Sequence, residues 1–143
     1  KWDGKTVPRG QQCLRFGGRP FTPVIMVGNI PRSANAVIMA YSDRDWPPMD
    51  NGGHGQIGYV ITPGCKEAAI PAVPGHTFQL PAGFFLLEAH RGGDWDKSGA
   101  YMPPCSGGRG NRYYVTVKAV ERSEGQNPAG RVLAEGVLEM EIY

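Results

Sequence analysis

The sequence predicts an all-β protein, an antiparallel sandwich or barrel with long loops and at most one short helix, and three observations predict it. Glycine and proline make up 34 of the 143 residues, and the longest stretch free of both covers residues 32–46. Proline removes a backbone donor and glycine costs chain entropy, so long helices, bundles and coiled coils are excluded. Short apolar runs bounded by turn residues recur along the chain, as strands do. The hydrophobic fraction of 41% is too high for a disordered chain.

The elements follow in order. Residues 23–28 (PVIMVG) and 36–43 (AVIMAYSD) are apolar runs closed by turn residues. Residues 56–62 (QIGYVIT) stop at Pro63-Gly64, and 83–89 (GFFLLEA) follow a Pro-Ala-Gly turn. Residues 112–121 (RYYVTVKAVE) alternate best, with Tyr113, Val115, Val117 and Ala119 on one face and Arg112, Thr116 and Lys118 on the other. Residues 136–143 (GVLEMEIY) place Leu138, Met140 and Ile142 inward, opposite Glu139 and Glu141. A single helical turn is expected around residues 131–135. No repeat and no linker divides the chain, so 1–143 reads as one domain, within the usual domain size.

A net charge of +2 gives no electrostatic footprint for nucleic acid, and no apolar run reaches the length of a membrane span. The three cysteines, Cys13, Cys65 and Cys105, allow one internal disulfide with one thiol left over. Their spacing is not that of metal ligands. A start at Lys1 together with widely spaced cysteines points to an exported protein, periplasmic or secreted, with the cytoplasm as the alternative.

Function belongs to the irregular stretches, residues 46–53 and 91–110, because long ordered loops on a rigid sheet carry binding groups. Asp43 and Asp45 flank Arg44 at a strand end, and their i, i+2 spacing puts both carboxylates on one face. The same residues also read as turn punctuation. His54 lies between glycines, which leaves its imidazole little shielded and suited to ligand contact or proton transfer. His76 and His90 sit in ordinary strand-like contexts. Pro103 and Pro104 fix a wall, and the glycines at 107–110 let backbone N–H groups approach an anion. Arg112 suits a phosphate or carboxylate, or an internal acid. No nucleophile, phosphate-loop or metalloprotease motif is present, and no cofactor or metal is expected.

Taken in order, five motifs resemble the phosphatidylethanolamine-binding protein family, which includes Raf kinase inhibitor protein and a bacterial branch. Thr22-Pro23-Val24-Ile25-Met26-Val27, then Ile30-Pro31, is similar to the opening S-P-x-L-x-W and its following proline. Asp43-Arg44-Asp45-Trp46-Pro47 matches D-P-D-A-P at both acids and the last proline, and His54-Gly55 resembles the pocket H-W pair. Asp94-Trp95-Asp96-Lys97-Ser98-Gly99, with Tyr101 and Pro103-Pro104, is similar to the bacterial D-F-G-K-x-G-Y-x-G-P-x-P-P. Gly110-Asn111-Arg112-Tyr113 is similar to the closing G-x-H-R-Y.

The resemblance implies a sandwich of a larger and a smaller antiparallel sheet with a shallow anion-accepting pocket at one end. Carried over by residue, Asp43, His54, Pro103, Pro104 and Tyr113 line it, with Asp45 and Arg112 in support. Asn111 stands where the family has a second histidine, and an amide bonds without titrating. Gly55 replaces the tryptophan and removes a wall. The spacing to the next proline also lets Gln56 take the histidine position. The C-terminal region is shorter than the family's, so its terminal helix is absent or reduced to one turn.

The expected function is non-enzymatic binding of a small anionic or polar ligand such as a phosphate or phospholipid head group, with a protonated His54 adding charge and Asp43 orienting it. Two other readings stay open. One is a protein-interaction module inhibiting a kinase or hydrolase; the other is an enzyme using Asp43 and His54 as an acid–base pair.

Overall fold

Seven strands build two antiparallel sheets in the computed structural model, which describes residues 2–123, 125 and 127–143. The strands are β1 (Ile25–Val27), β2 (Ala36–Asp43), β3 (Gln56–Val60), β4 (Ala68–Ile70), β5 (Phe84–Glu88), β6 (Arg112–Glu121) and β7 (Arg131–Ile142). The larger sheet has the order β5-β3-β2-β6-β7, and β1 pairs with β4 as the smaller one. This is the two-sheet arrangement the resemblance implied. Among the described residues the helical structure is three single 3₁₀ turns, Leu14–Phe16, Pro47–Met49 and Gly93–Trp95.

β2 is central, and all eight of its residues are buried. It therefore reads as a continuous apolar run and not as an alternation, because both of its faces are covered. On one face Val37, Met39 and Tyr41 join Ile57 and Val115 beneath Ile25 and Ile70 of the smaller sheet. Each fully buried aliphatic side chain there contributes about 1.5–3 kcal/mol. On the opposite face Ala36, Ile38 and Val120 are covered by Phe85 and Leu87, and the Arg122 guanidinium lies 3.7 Å over the Phe85 ring. Gly58 faces Phe85 across the β3–β5 pair, where any Cβ would fall 2.0 Å from the ring.

Two expectations fail at the C-terminus. Residues 131–135 are strand, since β7 runs without interruption from Arg131 and pairs with β6 from Glu121 onward. Long-range pairing overrides the local helical preference of those few residues. The inward set of β7 is also different. The register slips between Tyr113 and Tyr114, so Tyr113 faces Glu141 while Tyr114 faces Glu139, and Met140 is the extra residue. Such a bulge shifts the alternation by one position. Met140 stays buried, but Glu141 turns inward while Leu138 and Ile142 are exposed. Oε1 of Glu141 accepts the N–H groups of Asp3 (2.7 Å) and Gly4 (2.9 Å), which ties the N-terminal segment to β7.

The antiparallel order sets where a site can form. The C-terminal end of β2 meets the N-terminal ends of β3 and β6, and Asp43 faces Tyr113 directly. Three loops emerge from that end of the larger sheet.

Candidate functional site

At this end, β2 finishes with Asp43 turned into the interior, 1% exposed. The chain then turns, so the Asp45 N–H donates back to Asp43 Oδ1 over 2.8 Å. Asn111, one residue before β6, donates from Nδ2 to Asp43 Oδ2, also over 2.8 Å. Burial pushes the Asp43 carboxyl up, against the pull of the Asn111 and Asp45 donors. No cation is paired with this carboxylate among the described residues.

The turn separates the two acids that strand spacing would have placed on one face. Asp45 lies outside, where Oδ2 accepts the Arg112 N–H (2.7 Å) and Nε–H (3.1 Å), and Oδ1 accepts Nη2–H (2.7 Å). The guanidinium and backbone bonds of Arg112 hold the Asp45 carboxyl down at about 2. Arg112 is thus engaged by an internal acid and braces the outer rim, the second of its two expected roles.

His54 is enclosed, 3% exposed, which corrects the expectation of an unshielded imidazole. A tight Gly52-Gly53 turn returns the chain, so the His54 N–H donates to the Tyr41 carbonyl over 3.0 Å and extends the β2–β3 pairing. The Met102 N–H donates to the His54 carbonyl (2.9 Å), and Nδ1 lies 2.5 Å from the Met102 carbonyl. A carbonyl only accepts, so Nδ1 carries the proton. Burial drives the imidazole down to about 4, outweighing the Met102 carbonyl's support for the charged form, and His54 is neutral at pH 7. Asp43 takes its bonds elsewhere, so the Met102 backbone orients His54.

Tyr113 joins the two halves. Its ring meets the His54 ring edge-to-face at 5.3 Å, and its hydroxyl accepts the Cys105 N–H (3.3 Å). Pro103, Pro104 and Cys105 are buried with it. The space among Tyr41, His54, Met102, Pro104 and Tyr113 is too small to admit a water molecule. Gln56 points away and donates to Glu88 (3.1 Å), so His54 is the residue placed beside Tyr113. Gly55 does not leave a gap: a Cβ there would lie 2.0 Å from the Ala100 carbonyl, and its φ is +118°. The backbone of Ala100 and Tyr101 fills that position.

The structure thus gathers Asp43, His54, Pro103, Pro104 and Tyr113 into one enclosed cluster, with half-buried Asn111 bonded to Asp43 and with Asp45 and Arg112 on its outer rim. Cys13 and Cys105 form a disulfide across 92 residues, leaving Cys65 free. Cys13 packs with Met49, Met102 and Cys105, so this bond fastens the N-terminal segment to the wall of the cluster. Sequence reasoning missed a second pair, His76 with Asp96, whose side chains are 5% and 3% exposed. His76 lies in a loop at φ +61°, not in a strand. No spacing signal links two residues of different loops.

The class these features define is an antiparallel two-sheet β protein with a polar cluster closed in by the loops at one end of its larger sheet. No family model matches the chain, and no curated protein does. Among solved structures, the chain is similar to one described as a phosphatidylethanolamine-binding protein homologue from Chlamydia trachomatis. The similarity covers 100% of this chain and 92% of that one, with a TM-score of 0.51 and 22% identity. The chain therefore shares a phosphatidylethanolamine-binding-protein-like fold. No helix among the described residues is long and apolar enough to cross a membrane.

Proposed function

We propose that this is a small-ligand-binding protein whose site is the cluster of Asp43, His54, Pro103, Pro104, Asn111 and Tyr113. Its ligand is a small polar head group that presents hydrogen-bond donors, with an anionic portion at the rim. One observation carries this. Asp43 is buried without a balancing cation, its partners being an amide and a backbone N–H. Such a carboxylate is destabilising unless something else uses it, and perturbed buried acids gather at functional sites.

The neutral His54 has its Nδ1 proton committed to Met102, which leaves Nε2 as an acceptor. Asp43 and His54 both ask a ligand for donors, as an amine or hydroxyl supplies. Gly107 and Gly108 adopt positive φ near Asn111, a geometry that turns backbone N–H groups toward an anion, while the Gly110 and Asn111 N–H groups donate to the Tyr143 carbonyl. The fold similarity to a phosphatidylethanolamine-binding protein homologue supports a head-group ligand. The Cys13–Cys105 disulfide supports an oxidising, exported location.

Because the site is closed, a ligand enters when residues 99–106 give way, and its apparent affinity is lowered by that opening. Thermal unfolding in phosphate, ethanolamine and phosphoethanolamine tests this. A ligand at roughly 100 times its dissociation constant adds about 2.7 kcal/mol. Phosphoethanolamine is expected to protect more than either fragment, and Asp43→Asn to weaken it about tenfold or more, as loss of a charged partner does. Absence of protection by all three overturns the proposal and turns the search toward a protein partner.

A further inference from the structure

We propose that the groove beside His76 is a second ligand site, which takes a small carboxylic acid with an apolar body. The groove, open to solvent, has a volume of about 380 Å³ and shares no lining residue with the His54 cluster. Leu14, Phe21 and Pro74 supply an apolar surface, and Arg19 and Lys97 stand at its margins. Among the described residues no acid lines it. Arg19 and Lys97 form no ion pair among the described residues. Leu14 and Phe21 are 42% and 48% exposed. An apolar surface that carries two cations outside any ion pair is complementary to an amphipathic acid.

Among the described residues, His76 is the one buried polar residue in the groove wall. Its side chain is 5% exposed, and Nε2 is bonded to the equally buried Asp96 carboxylate. The carboxylate fixes the ring, as it does for imidazoles set to use their other nitrogen. That nitrogen, Nδ1, has no partner among the described residues and is not among the fully enclosed unpaired atoms. The residue forms part of the groove wall. The left-handed backbone of His76, φ +61°, is costly for a histidine, and such strain collects at ligand sites. It is held by bonds to one strip of chain: the His76 N–H donates to the Tyr101 carbonyl (3.1 Å), and the Ala100 N–H donates to the Thr77 carbonyl (3.0 Å). With Nε2–H given to Asp96, Nδ1 of the neutral ring only accepts, so a bound carboxylate takes its charged contacts from Arg19 and Lys97.

The test is a titration of the whole protein with benzoate, with benzamide as the uncharged isostere, followed through backbone amide shifts. Saturable shifts are expected at Gly75, His76, Thr77 and Lys97, with benzamide at least about tenfold weaker. Arg19→Gln and Lys97→Gln change exposed side chains and are each expected to weaken benzoate about tenfold. Arg131→Gln, at an exposed residue outside both sites, controls for net charge and is expected to leave binding unchanged. Absence of saturable shifts, equal binding of benzamide, or indifference to Arg19→Gln and Lys97→Gln overturns the second site. Shifts confined to Asp43, Asn111 and Tyr113 would assign the acid to the first cluster and also overturn it.

Discussion

The imidazole of His54 is bonded through Nδ1 to the carbonyl oxygen of Met102, 2.5 Å away, while the Asp43 carboxylate takes its bonds from Asn111 and Asp45. An imidazole oriented by a backbone carbonyl has a fixed tautomer but gains no stabilising negative charge when it protonates. Burial therefore dominates and holds the group at about 4.

That depression makes stability pH-dependent in a defined window. The unfolded chain protonates this residue near its ordinary 6.5 while the folded chain resists until about 4. The unfolded state binds more protons between these values, so stability is full above 6.5 and falls as the pH drops toward 4. The loss is about 3 kcal/mol. Denaturant titrations at steps through this range are expected to show the slope in the parent chain and a flatter profile in His54→Gln. A parent profile that stays level from pH 6.5 to 4 would refute the enclosed, neutral imidazole.

Gly55 faces two constraints at once, a φ of +118° and a carbonyl that a Cβ would meet at 2.0 Å. The obstructing atom is backbone and cannot rotate away. Gly55→Ala is expected to destabilise the fold by at least about 2 kcal/mol. Gly136→Ala, with open space and no positive φ, is expected to change stability by no more than about 0.5 kcal/mol. Equal effects on the urea midpoint would show that Ala100 and Tyr101 do not pack against Gly55.

Asp45 and Arg112 offer a local check on the rim. The fork of bonds from Arg112 holds the Asp45 carboxyl at about 2, so a carboxyl carbon titration is expected to show Asp45 ionised throughout mild acid. In Arg112→Gln it is expected to move up toward the ordinary carboxylate range, with Asp43 unaltered. An unmoved Asp45 would place the guanidinium elsewhere.

How much of this was legible in the sequence depended on what fixed each feature. β2 and β6 were readable to the residue, because a doubly covered strand is uniformly apolar and a half-covered one alternates. β4 escaped notice, since Ala68–Ile70 is three residues long and paired only to β1. The inward turn of Glu141 was not readable, because a one-residue bulge opposite Tyr113 decides it. The cluster's membership came from a resemblance across five motifs. Its enclosure did not, since neighbouring glycines suggest exposure for His54 while the covering segment lies almost fifty residues away. The His76–Asp96 pair left no sequence trace for the same reason.

The Cys13–Cys105 disulfide joins stability to the cluster. It closes 92 residues of chain, and removing such a cross-link from a small domain costs about 2–5 kcal/mol, chiefly by freeing the unfolded chain. Its position adds a local consequence. The Cys13 N–H donates to the Pro104 carbonyl over 3.0 Å, and the Cys105 N–H donates to the Tyr113 hydroxyl over 3.3 Å, so both ends of the bond are built into the wall over Tyr113. Reduction, or the Cys13→Ser/Cys105→Ser pair, is expected to lower the unfolding midpoint and to speed amide exchange at residues 102–106 more than in the β2–β6 core. Phosphoethanolamine is then expected to associate faster, because the covering segment opens more readily. A destabilised protein whose 102–106 amides exchange as before would mean that the wall is held by its own packing, and that the disulfide contributes to the fold without guarding the site.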